Sequence, residues 1–143
     1  AGGLTWRPAD GGPPRPLTRL DPARRDGRHQ RPFVLPDGRT VLFAIQRDVA
    51  GPGAHAPGPL GLVTLDPRRP DAAPYVELPV SARRAVAWID GWLLYVAGDG
   101  ARLVAQRLDT AARRIVGPAH PVLDDPAGDL AVAALGGDGT LLY

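Results

Sequence analysis

The sequence predicts an all-β protein built from four-stranded antiparallel β-propeller blades. Three observations carry this: a recurring Asp-Gly turn, a spacing between turns close to one blade, and short apolar runs punctuated throughout by Gly and Pro. The turn residues come first. The chain has 143 residues with 18 Gly and 17 Pro, well above average usage. They fall between apolar runs, where turns belong, rather than in long polar tracts. A 44% hydrophobic content is ordinary for a globular chain of this size, which buries roughly two thirds of its extended surface.

Residues 33–43, 86–95 and 133–143 share one design. Each sets Asp-Gly (Asp37-Gly38, Asp90-Gly91, Asp138-Gly139) between one apolar run and a second run ending in Phe43, Tyr95 or Tyr143. Asp-Gly is favoured in tight hairpin turns because both central positions of such a turn have positive φ. The turns lie 53 and 48 residues apart, beside the ~40–50 residues of one propeller blade. Between them, residues 61–67, 75–78, 102–109 and 121–123 alternate apolar and polar, as half-exposed outer strands do. Leu93-Leu94-Tyr95-Val96 is apolar at every position, the pattern of a strand buried on both faces. No segment carries a helical period free of Gly and Pro, so no long helix is expected.

Counting strands from the first residue gives outer strands of one blade over 1–22, complete blades over 29–79 and 84–124, and inner strands of another over 129–143. That is about three blades per chain, one propeller domain over 1–143. Propellers close with roughly four to eight blades. The expectation is therefore six blades, completed by homodimerisation or by the remainder of a longer chain. The absence of an initiator Met suggests a mature or excised piece, or an engineered or trimmed propeller.

Composition removes several functions. There is no Cys, so disulfides, thiolate catalysis and Cys-based metal sites are excluded. There is no Lys, which excludes Schiff-base chemistry and the phosphate-loop lysine. The net charge is only +2. Apolar runs such as residues 92–97 are far too short to span a bilayer as a helix, and no signal peptide is visible. The stretch from Arg15 to Arg31 holds six Arg but no interleaved aromatic residues, so nucleic-acid binding is not expected.

Candidate chemistry is sparse. Ser81 is the only Ser, reads as a loop residue entering a strand, and sits in no nucleophile elbow. His29, His55 and His120 lack a second ligand at metal-binding spacing, so no metal or cofactor is expected. Asp124, Asp125 and Asp129 form the densest acidic cluster and could serve a hydrolase or lyase as paired carboxylates. Aligning the repeats places Arg31, Arg84 and Ala131 in one row at the entry to the inner strands, and His29, Ala82 and Asp129 in another. His29, Arg31, Arg84 and Asp129 are therefore the candidate ligand-binding residues at the channel mouth.

Residues 11–22 and 28–39, with 117–123 and 137–143, resemble the WD40-like, TolB-like propeller repeats of bacteria, which commonly follow the kinase domain of membrane-anchored serine/threonine protein kinases. The resemblance covers nearly the whole chain except 47–59. It implies a non-catalytic sensory or scaffold module that binds a protein, peptide or small ligand, in an extracytoplasmic or periplasmic setting. Family members often carry His-Arg-Trp-Pro where this chain has His29-Gln30-Arg31-Pro32, so a charge replaces an aromatic contact. No kinase motif is present.

Overall fold

The computed structural model describes residues 2–50, 54–69, 71–125, 134–136 and 140–142. Strands dominate them: β1 (Thr5–Trp6), β2 (Arg15–Pro16), β3 (Asp26–Val34), β4 (Thr40–Asp48), β5 (His55–Thr64), β6 (Val76–Ile89), β7 (Trp92–Ala97), β8 (Arg102–Asp109), β9 (Arg114–Asp124), β10 (Ala134–Leu135) and β11 (Leu141–Leu142). The helical content among these residues is a single 3-10 turn, Pro22–Arg24, capped by the Asp21 carboxylate on the Ala23 N–H. No helix of the described residues is long and apolar enough to cross a membrane. The fold is all-β.

Strands β3 to β9 hydrogen-bond in sequence order, each antiparallel to the next, while β1–β2 and β10–β11 form separate antiparallel pairs. The 14-residue β6 changes partner midway. Its residues from Val76 to Ser81 pair with β5, and those from Ala82 to Ile89 pair with β7. Two four-stranded meanders result, β3–β4–β5–β6 and β6–β7–β8–β9, sharing one continuous strand. From sequence, Ser81 reads as a loop residue entering a strand. Instead Ser81 lies inside β6, and Pro79 sits in the register shift opposite Pro59 and Leu60, where no ladder N–H is required of it.

The turns show how the repeat is made. Asp90 and Gly91 have φ of 49° and 83°, the two left-handed residues of a tight hairpin turn between β6 and β7. At the first repeat Pro36 holds its fixed φ, so the chain makes a wider connection. There the Gly38 N–H donates to Leu35 O at 2.9 Å, and only Gly38 is left-handed. Asp37 uses its carboxylate instead, accepting from the N–H groups of Arg39 and Thr40 at 2.8 Å. Asp138 lies outside the described residues.

Packing places the sheets in layers. Leu42, Ala44, Leu60, Leu62 and Leu78 of the first meander meet Ala85, Leu93, Tyr95, Val104 and Leu108 of the second in one core. The other face of the first meander, with Val41, Phe43, Ile45 and Val63, is covered by Leu4, Trp6 and Leu17 around β1 and β2. The other face of the second, with Val96 and Leu103, meets Leu141 of β11. Thus β4 and β7 are buried on both faces, as the unbroken apolar sequence of β7 predicts. A guanidinium also bridges the meanders: Arg113, in the β8–β9 turn, donates to Leu62 O of β5 at 3.1 Å.

Gly61 shows how tight this packing is. A Cβ there would lie 2.2 to 2.6 Å from three ring carbons of Phe43, which is fully buried and cannot yield. Gly61→Ala should therefore cost about 1–3 kcal/mol of unfolding free energy by overpacking. Combining it with Phe43→Leu should cost less than the sum of the single changes, because the two sites collide. Urea unfolding of the four proteins checks this; strict additivity would contradict it.

Candidate functional site

Two arrangements of polar side chains stand out, and their chemistry differs. The first is buried. Asp26 and His29 lie three residues apart on β3, a spacing that normally sends side chains to opposite faces of a strand. A register shift between Asp26 and Arg28 absorbs one residue, so both point into the same layer. His29 Nε2 and Asp26 Oδ2 are 3.0 Å apart, and His29 Nδ1 lies 2.9 Å from the Thr18 hydroxyl, which accepts the Leu4 N–H at 2.9 Å. Thr18 therefore donates to Nδ1, and neutral His29 donates from Nε2 to Asp26. The Asp26 carboxylate also receives the Tyr75 hydroxyl, the Arg47 guanidinium and the Asp21 N–H, the last at 2.9 Å. Beyond it, Arg47 pairs with Glu77 at 2.7 Å and Glu77 with Arg24 at 3.0 Å.

A hydroxyl, an imidazole and a carboxylate joined in this order have the connectivity of a nucleophilic triad. Burial decides against that chemistry. Thr18, His29 and Asp26 are 3%, 4% and 5% exposed, and the imidazole is enclosed by the rings of Phe43 and Tyr75. No substrate reaches the hydroxyl, so the cluster ties β2, β3, β4 and the start of β6 together. Its electrostatics follow from the same geometry. Burial raises the Asp26 pKa, but hydrogen bonds from Tyr75, the Asp21 N–H and His29, with the Arg47 charge, outweigh it and hold the carboxyl below its usual range. Burial lowers the pKa of His29, only partly offset by Asp26.

The second arrangement is open to solvent. Arg31, Pro32 and Phe33 of β3, Arg84, Ala85 and Val86 of β6, and Leu135 of β10 line a groove of about 410 Å³. Strand β3 opens the first meander, the second half of β6 opens the second, and β10 belongs to the separate β10–β11 pair. Arg31 stands in a bulge between Gln30 and Phe33 with φ of 54°, a left-handed value that a non-glycine residue holds only when its surroundings enforce it. Bulges also flank Arg84, between Ala82 and Arg84 and between Ala85 and Ala87. The two guanidiniums are close enough that Arg31, after burial, is the second cause lowering the Arg84 pKa. On the other side of Arg31, Gln30, Gln46, Pro57 and Arg83 help to line a smaller cavity of about 160 Å³.

Of the candidates read from sequence, Arg31 and Arg84 are brought to one groove. His29, placed in the neighbouring row, is turned inward and bound into the buried cluster. Asp129 and Ala131 lie outside the described residues. Asp124 is the exposed last residue of β9, three strands away from β6, and the Asp125 N–H donates to Ala101 O at 2.7 Å. Neither carboxylate lines the arginine groove. His55 lies 3.0 Å from Asp48, and His120 packs edge-on against Trp92. Among the described residues no three His, Asp or Glu side chains converge as a metal site would need.

Acid should loosen the buried cluster. The folded pKa of His29 is below that of the unfolded chain, so its contribution is present above about pH 6.5 and is lost as pH falls towards the folded value. Asp26 is also depressed, so its share is lost only at lower pH, below about 3.9. Unfolding free energy from urea titrations should fall between pH 7.5 and 5.5, and this dependence should flatten in His29→Gln. Asp26→Asn should cost about 3–5 kcal/mol at pH 7, because Arg47 loses its buried counter-charge and one of the two acceptor oxygens becomes a donor facing other donors. An unchanged midpoint in Asp26→Asn would contradict the account. No protein-family model matches the chain, and no curated protein or solved structure matches it either.

Proposed function

We propose that the chain is a partial β-propeller, of the WD40-like and TolB-like kind its repeats resemble, that works as a non-catalytic recognition module. It binds an anionic group of a protein, peptide or small ligand in the groove of Arg31 and Arg84. The observation that carries this reading is the meeting of two arginines from equivalent repeat positions at one solvent-open groove between β3 and β6. Each stands beside a bulge that re-aims its strand, a device common next to binding sites. An anion lying between the two guanidiniums can accept N–H donors from both.

The layered meanders support the propeller reading. Each has four antiparallel strands, and the chain passes from the last strand of one unit directly into the first strand of the next. The pair β1–β2 matches the outer half of such a unit and β10–β11 the inner half. A second copy, or the remainder of a longer chain, then completes the half-units towards six blades.

Two measurements test this. Light scattering after size exclusion should give twice the 15.1 kDa chain mass; a stable monomer speaks against closure by a second copy. In amide-resolved NMR at low salt, inorganic phosphate and acetate should shift signals of residues 31–33, 84–86 and 135. Arg31→Glu with Arg84→Glu should abolish those shifts while keeping the spectrum dispersed. Shifts spread evenly over the other arginines would overturn the groove as the recognition site.

A further inference from the structure

We infer that the groove selects a carboxylate carried on an apolar body, such as a small hydrophobic acid or a peptide chain terminus ending in an apolar residue. This rests on the recognition reading above and narrows it to one ligand chemistry. The described lining divides into two kinds of surface. The guanidiniums of Arg31 and Arg84 supply planar forks of N–H donors, and Phe33, Val86, Ala85 and Leu135 supply apolar walls. Arg matches the two oxygens of a carboxylate through paired, nearly parallel hydrogen bonds, which gives orientation as well as attraction. Pro32, also in the wall, has no N–H to offer.

A phosphate group asks for more. Its sites typically add backbone N–H groups, hydroxyls or a helix N-terminus to the cations. Here the described lining holds no Ser, Thr or Lys. A phosphate can meet the charge but leaves the apolar walls unused. A carboxylate with a hydrocarbon or aromatic body meets both surfaces, its anion on the arginines and its body against Phe33, Val86 and Leu135. Phe33 is half-buried, so its ring keeps a face for stacking at little cost in ordering.

The volume is consistent with one residue-sized ligand. About 410 Å³ lies near the lower end of the ~300–1,000 Å³ of small-molecule sites. The left-handed backbone at Arg31 adds to the argument. It sets the Arg31 backbone in a bulge outside the regular ladder, at the groove that Arg84 also lines, and this backbone is in place before any ligand arrives. Such pre-organisation lowers the ordering cost of binding.

The test is calorimetric titration of the intact chain with N-acetylphenylalanine, N-acetylphenylalanine amide, acetate and inorganic phosphate. The acid should bind about tenfold or more tightly than its amide and than either simple anion. Arg84→Lys should weaken the acid several-fold by removing a planar fork while keeping charge. Phe33→Ala should weaken the acid and leave acetate unchanged. Acetate and phosphate binding in the groove as well as the acid overturns this ligand class and leaves the recognition reading standing. No anion binding there at all overturns both. The tetrapeptide Gly-Gly-Ala-Phe, added as a further arm, assigns the source. Tighter binding than N-acetylphenylalanine identifies a chain terminus and equal binding a small acid, and both uphold the carboxylate. Melting curves of each variant within a few degrees of the parent exclude loss of fold as the cause.

Discussion

Strand β6 pairs through one edge with β5 and then through its other edge with β7, and the rest of the molecule depends on this change of partner. A strand that pairs along both edges at the same residues extends a single flat sheet. Here the pairing is divided along the strand, at Ser81 and Ala82. The first meander can then turn its face towards the second, and Leu42, Leu60 and Leu62 find Leu93, Tyr95 and Val104 across the layer. Bulges around Arg84 and at Pro79 supply the bend. The same bend carries Arg84 beside Arg31, so the geometry that closes the core also assembles the groove.

The N-terminal pair is held differently. Strands β1 and β2 are only two residues each, too short to be stable through their own ladder. They stay because Trp6 and Leu17 cover Phe43 and Val63, and because Thr18 enters the buried network of His29 and Asp26. A carboxylate with no exposed side-chain surface, surrounded by Arg47, Tyr75, His29 and a backbone N–H, is costly to break and specifies one arrangement. The cluster therefore fixes which layer covers the first meander. Its burial also separates it from the groove, which presents its charge to solvent.

Much of this architecture was legible in the sequence. The turn at Asp90-Gly91, the doubly buried β7 and, among the described residues, the lack of long helices follow from turn chemistry and apolar patterning. What was illegible has physical reasons. Period-two reasoning cannot see the bulge after Asp26, and that bulge puts His29 in a buried cluster rather than at an open rim. Tyr75 and Arg47 are distant in sequence and meet Asp26 only through the layer packing. Ser81 reads as a loop residue because local propensity does not register a strand that exchanges one partner for another. The wide turn at Asp37 follows from Pro36, whose fixed φ overrides the preference of the Asp-Gly pair beside it.

In the layered arrangement β3 and the second half of β6 stand side by side, with Arg31 and Arg84 on one groove. The chain has no Cys, so a single nitroxide can be placed cleanly at Arg31→Cys and its relaxation effect read along the backbone. Strong broadening of the amides of residues 84–86 and 135 is expected, with sharp signals at the exposed residues 111 and 112 of the β8–β9 turn. Sharp signals at 84–86, with broadening confined to β3 and β4, would contradict the stacked arrangement and remove the groove with it.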